Sequence, residues 1–418
     1  MANIPLQTVS VDEPVGQTKQ SYTPALLSLA VLYFMMGFIT CLNDTLVPFF
    51  KKGFNLTYSQ SSLVQFYFFL TYGIMSIPAG KIVEKVGYKT GMVLGFAIAA
   101  VGALLFFPAS ALHLYALFLG ALFVIAIGIV LLQVAANPYI TVLGPAQTAS
   151  SRLTLIQGVG SMGTTVAPLF GAYFILAPLA NASSDAVRYP YLGIAGLLAC
   201  IALVLWRLKL PVIRASADLN THAEEPDKSV FAFRNLRFGI GGLFCYVGAE
   251  VSIGTFLTNY IADTLRISEN EANSFVAFYW GSMLVGRFVG AGLLKTIRPA
   301  SILTVCAVLA IALVLFSVNT TGYVAVWSMI AVGLCNSIMF AIIFSLSVDG
   351  LGKFTTQASG LLSTAIAGGA VVSFCQGLLI DHFTWPIAFM LPVVCYGYIL
   401  FYGINGYKAN AYTNPPLH

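Results

Sequence analysis

Gly37-Phe-Ile-Thr-Cys-Leu-Asn-Asp-Thr-Leu-Val-Pro48 puts a carboxylate, Asp44, and an amide, Asn43, inside the first long apolar run of the chain. A charged side chain at the centre of a membrane-spanning helix costs roughly 2.5–3.5 kcal/mol on insertion scales. Such a group normally faces a polar cavity, and by default it marks an ion or substrate path. The surrounding composition decides that this run is a span. The 418 residues are 58% hydrophobic and only 8% charged, whereas soluble domains carry about 25% charged residues. The chain therefore reads as an all-α integral membrane protein, with the lipid bilayer as its solvent.

Composition also excludes several functions. The net charge of +5 is spread over short loops, so it is no nucleic-acid footprint. The seven cysteines all fall in apolar runs without CxxC spacing and read as packing residues. The four histidines show no ligand spacing, and no HExxH, GxSxG or P-loop occurs. Neither an enzyme nor a resident cofactor is expected; the one metal to consider is Na⁺ near either acid buried deep in a span, Asp44 or Glu250. Residues 1–24 are polar, contain Asp12 and Glu13, and lack the apolar core of a cleaved signal, so they are expected to form a cytoplasmic tail.

At about 20 apolar residues per span, twelve spans are expected, near 25–50, 60–83, 91–108, 112–140, 152–176, 189–208, 238–262, 271–294, 300–318, 323–347, 358–380 and 386–407. A polar linker over 209–237 divides them into bundles at 25–208 and 238–407, followed by a short tail at 408–418. An even number of spans puts both termini on one side. Fifteen basic residues then fall on that side and four on the other, with Arg287 inside a span. That asymmetry predicts cytoplasmic termini.

The halves resemble each other at a shift of about 211 residues. Thr57-Tyr-Ser-Gln60 and Ser268-Glu-Asn-Glu271 both fit a capping box at a span start. Ala79-Gly80-Lys81 and Gly290-Ala291-Gly292 close the same two helices. Internal repeats with a ligand site at their interface are a transporter pattern.

Polar residues inside spans supply the candidate site. Gln133 and Asn137 are i,i+4 and share a face of span 4, where Pro138 frees a backbone carbonyl. Span 5 carries a stripe of Gln157, Ser161, Thr164 and Thr165. Its Gly158-Val-Gly-Ser-Met-Gly163 formally matches a dinucleotide fingerprint, but no strand precedes it, and close helix packing explains the glycines. Span 7 holds Glu250, the second carboxylate deep in a span, with Tyr246 one turn before it. Gln65, Trp280 and Asn336 add amides and an aromatic face, a combination suited to stacking and hydrogen-bonding a sugar. Gly80, Glu84, Lys85, Gly87 and Lys89 end span 2, and Arg287 lies toward the matching end of span 8; these are the expected cytoplasmic gate.

The twelve-span plan and the Gly80–Lys89 segment resemble the major facilitator superfamily, whose usual loop motif has an aspartate where this chain has Glu84. More closely, the chain resembles the bacterial fucose/proton symporter family and its glucose/galactose transporter branch. The resemblance runs through Leu42–Pro48, Ala135-Ala-Asn-Pro-Tyr139, Val142-Leu-Gly-Pro145, Phe244–Ala249 and Ile343–Leu346. It implies that Asp44 contacts sugar and takes part in coupling, and that Gln157 contacts sugar. Fucose members have a glutamate where this chain has Gln133, and a glutamine where it has Glu250. The second acid has thus moved to the other half, as in the glucose/galactose branch.

Together these features predict a monomeric secondary transporter of the bacterial inner membrane that carries a monosaccharide with H⁺ or Na⁺. Its substrate would be a hexose such as glucose or galactose, or else fucose, mannose or N-acetylglucosamine. The expected substrate residues are Asn43, Asp44, Gln65, Gln133, Asn137, Gln157, Tyr246, Glu250, Trp280 and Asn336, with coupling at Asp44 and Glu250. A proton-driven drug exporter is the nearer alternative, a membrane-embedded enzyme the remote one.

Overall fold

The computed structural model describes residues 23–53, 63–171, 174, 187–208 and 229–408. Long helices make up nearly all of it, and no strand occurs among the described residues. The first bundle contains α1 (Thr23–Gly53), α2 (Leu63–Val86), α3 (Tyr88–Ala111), α4 (Tyr115–Val142), α5 (Ala149–Gly171) and α6 (Arg188–Arg207). The second contains α7 (Arg234–Leu265), α8 (Glu269–Leu293), α9 (Pro299–Val318), α10 (Gly322–Val348), α11 (Gly352–His382) and α12 (Trp385–Gly406).

Among the described residues, ten of these helices are long and apolar enough to cross a membrane. α2 and α5, of 24 and 23 residues, have the length too, though some of their side chains lie outside the described residues. α2 carries Lys81, Glu84 and Lys85 at its end, and α5 carries the Gln157–Thr165 stripe. Helices that line a polar path carry that load. All twelve spans are thus accounted for. Several run past their expected bounds, α1 to Gly53 and α7 from Arg234, because helices continue beyond the hydrocarbon core into the interface.

Local chemistry sets the helix ends. Ser268 caps α8 by accepting from the Glu271 amide at 3.3 Å, the bond that the capping-box spacing predicts; its expected counterpart at 57–60 lies outside the described residues. Gly87, at φ +81°, turns the chain between α2 and α3 in one residue, a conformation that side chains resist. The repeat is visible in the helix starts: Thr23 and Arg234, like Tyr88 and Pro299, are 211 residues apart.

α1 and α5 meet through glycine. A Cβ at Gly37 would lie 2.2 Å from the Gly160 carbonyl oxygen, and one at Gly163 would lie 2.1 Å from that of Phe34. Backbone cannot yield as a side chain can. Gly163→Val is therefore expected to cost about 3 kcal/mol or more, read as a lowered thermal midpoint in detergent. A midpoint equal to that of the parent would contradict this packing.

Short connections make successive helices antiparallel, so α2, α4, α8 and α10 end on the face where α3, α5, α9 and α11 begin. Arg234, which opens α7, donates to the Asn405 and Lys408 carbonyls at 3.0 and 3.4 Å, which places the end of α12 there too. This is called the terminal face below.

Candidate functional site

Glu250 stands 16 residues after the start of α7 and 15 before its end, close to the middle of the fold. It is half-buried, and so keeps some accessible surface. Arg287 of α8 lies within its electrostatic reach. So does Tyr246, whose hydroxyl is buried without a well-formed hydrogen bond. The Tyr279 hydroxyl donates to the Glu250 carbonyl at 3.3 Å and ties α8 to α7 at that level. Trp280 is 48% exposed and packs edge-on to Tyr279, with ring centroids 5.2 Å apart. Its indole covers Gly254, one turn after Glu250, where a Cβ would come within 2.9 Å of the ring. The indole thus shares a helix face with the carboxylate.

Across the interface, Gln157 on α5 and Gln133 on α4 each bury an amide oxygen that has no partner. An unpaired buried acceptor costs about 1–3 kcal/mol, so these positions call for donors from a ligand or water. Arg287 reaches this side as well, for its guanidinium donates to the Ser161 hydroxyl of α5. Expected at the gate, Arg287 stands instead between Glu250 and the polar stripe of α5.

The two asparagines have a different setting. Asn137 is buried and accepts from the Tyr33 hydroxyl of α1. Asn336 is fully buried; it donates to the Tyr279 hydroxyl at 3.0 Å and accepts from that of Tyr396 at 2.8 Å. Both clamp helices together. Asn336→Ala is expected to cost about 2–4 kcal/mol, since two buried hydroxyls lose their partner. A thermal midpoint unchanged from the parent, with altered sugar selectivity, would instead make Asn336 a ligand contact.

The side chains of Asn43, Asp44 and Gln65 lie outside the described residues. Their helices place the backbone: Asp44 is 21 residues beyond Thr23, whereas Glu250 is 16 beyond Arg234. At about 1.5 Å per residue, Asp44 sits about 7 Å further from the terminal face.

Sequence reading missed several groups. Tyr279 and Tyr396 were hidden among ordinary aromatics. Gln376, in an apolar stretch of α11, is fully buried with both amide atoms unpartnered; a lone amide in such a run was the available signal.

At the terminal face, hydroxyls join the two bundles. Ser150 and Ser345 share a hydrogen bond of 2.5 Å, and Ser151 donates to the Ala291 carbonyl at 2.6 Å. Thr356 donates to the Tyr88 hydroxyl at 2.9 Å and Ser359 to the Val134 carbonyl at 3.1 Å. Gly80 packs against Gly360, where a Cβ would lie 3.5 Å from the facing Cα. The expected charges are arranged otherwise: Glu84 and Lys85 are exposed, and Lys89 bonds the Trp206 carbonyl of its own bundle at 2.8 Å. Arg152, not anticipated, caps α4 by donating to the Thr141 and Pro145 carbonyls at 2.9 and 2.8 Å. Below the Ser150–Ser345 contact a cleft of about 680 Å³ opens on the terminal face, between Tyr88 and Thr141 on one side and Asp349 and Lys353 on the other.

The Major Facilitator Superfamily model matches residues 29–374. The chain is 48% identical over 398 residues to a glucose/galactose transporter of Brucella abortus, covering 94% of this chain and 96% of that one. It is 32% identical over 438 residues to the L-fucose-proton symporter of Escherichia coli K12, covering 96% and 98%. Among solved structures, the outward conformation of the transporter FucP superposes with a TM-score of 0.83 at 30% identity, over 91% of this chain and 98% of that one.

Proposed function

Because the chain belongs to the major facilitator superfamily, we propose that it is a transporter, not an enzyme, and that it moves a hexose together with H⁺ or Na⁺ across the bacterial inner membrane. The observation that carries this reading is the polar group of Glu250, Arg287 and Gln157, to which the two bundles both contribute. A carboxylate there can hold a co-transported cation. Unpaired amide oxygens call for hydroxyl donors, and the exposed indole of Trp280 offers a stacking face for a sugar ring.

Asp44, nearer the opposite face, would meet the incoming sugar first. Asn43, Gln65, Gln133, Gln157 and Tyr246 would add further sugar contacts, while Asn137 and Asn336 tie helices together. The hydroxyl contacts at the terminal face correspond to a carrier closed on its cytoplasmic side, in keeping with the outward-conformation structure it superposes on. The bundles then rock about the loaded site.

Counterflow of labelled glucose, galactose, mannose, fucose and N-acetylglucosamine in proteoliposomes, with and without Na⁺, tests the proposal. Glucose and galactose should exchange and the others should lag. Absence of counterflow with every sugar would remove the substrate class, and a Na⁺ requirement would separate Na⁺ from H⁺.

A further inference from the structure

Arg287 is tied to both bundles. Its Nε donates to the Ser337 carbonyl of its own bundle at 3.2 Å, and Nη1 donates to the Ser161 hydroxyl of the other. The Ser161 proton is already given to the Gln157 carbonyl at 3.2 Å, so Ser161 offers the arginine a lone pair. α5 and α8 lie close here: a Cβ at Gly158 would be in van der Waals contact, 3.4 Å from the Phe288 ring and 3.6 Å from the Arg287 Cβ. On the other flank, Glu250 and Tyr246 are the titratable groups of α7 whose electrostatics involve Arg287. One guanidinium is therefore hydrogen-bonded to both bundles, with the Glu250 carboxylate of its own bundle within electrostatic range.

We propose that the Arg287–Ser161 hydrogen bond is a brake that only a bound sugar releases. Arg287 and Ser161 act as positioning residues, holding α8 to α5 until a substrate hydroxyl takes the place of Ser161. A cation held at Glu250 cancels the pull on Arg287 from its own bundle and leaves Ser161 as the preferred acceptor, so cation alone tightens the link. Sugar arriving at Gln157, one turn before Ser161, brings the competing acceptor. The doubly loaded carrier then rocks, while the carrier loaded with cation alone stays shut. This inference rests on the symport reading above and adds the group that prevents a cation leak.

The test is cation flux without sugar, measured in proteoliposomes with an entrapped pH or Na⁺ indicator. Ser161→Ala should raise sugar-independent flux at least fivefold and lower the sugar moved per cation, with counterflow reporting that the protein is folded. Ser161→Thr keeps the hydroxyl and should restore tightness. A Ser161→Ala protein as tight as the parent overturns the proposal, and so does a Ser161→Thr protein as leaky as Ser161→Ala, which would point to packing alone. The parent protein separates the two readings. If its sugar uptake moves no cation, symport itself fails; if it couples while Ser161→Ala stays tight, only the brake fails.

Discussion

Glu250→Gln is expected to abolish cation-driven sugar accumulation while sugar counterflow persists. The amide has nearly the same shape as the carboxylate and keeps one acceptor oxygen, but it carries no charge with which to hold and release a cation. Coupling exists only where cation and sugar favour the same states of the carrier. Removing the cation's interaction with those states removes the linkage, whatever the sugar affinity. The accumulation ratio should fall at least tenfold, about 1.4 kcal/mol of coupling. Tyr246 and Arg287 remain to hold the neighbourhood together, so exchange of sugar for sugar needs no charge at this position. Should the dependence on Na⁺ and pH match the parent, Glu250 is a packing residue.

Asp44→Asn is expected to act differently, by weakening sugar binding itself. A carboxylate accepts hydrogen bonds from two sugar hydroxyls, and bonds to a charged group are worth about 1.5–3 kcal/mol each. Loss of one such interaction corresponds to a rise in Kd of about 10- to 150-fold. Calorimetry or the fluorescence of Trp280 would report it. Parent-like affinity in Asp44→Asn would take this residue out of the sugar site.

Fold and site were legible to different depths. Twelve spans could be counted because hydrocarbon thickness imposes one length on every helix, and the repeat showed in two capping sequences. The polar residues were also conspicuous, since an amide or acid in an apolar run stands out. Their partners were not. Asn336 and Gln157 look alike in sequence, yet one is saturated by Tyr279 and Tyr396 while the other keeps an unpaired oxygen. That difference depends on helix rotation and on tyrosines brought from distant spans, which periodicity does not encode. Arg287 shows the same limit: its position near the end of a span suggested a gate, whereas in the fold its guanidinium donates to Ser161 of the other bundle. At the terminal face, lysines and glutamate drew attention by their charge, but serine and threonine make the cross-bundle bonds. Hydroxyls that small carry almost no sequence signal.

The most direct measurement is the steady-state ratio of internal to external labelled hexose in proteoliposomes under an imposed inward cation gradient. Cation-coupled symport requires a ratio well above one that collapses when an ionophore dissipates the gradient. A ratio that settles at one with the gradient intact would make the protein a facilitator, and the carboxylate at the centre of the fold would have no part in driving transport.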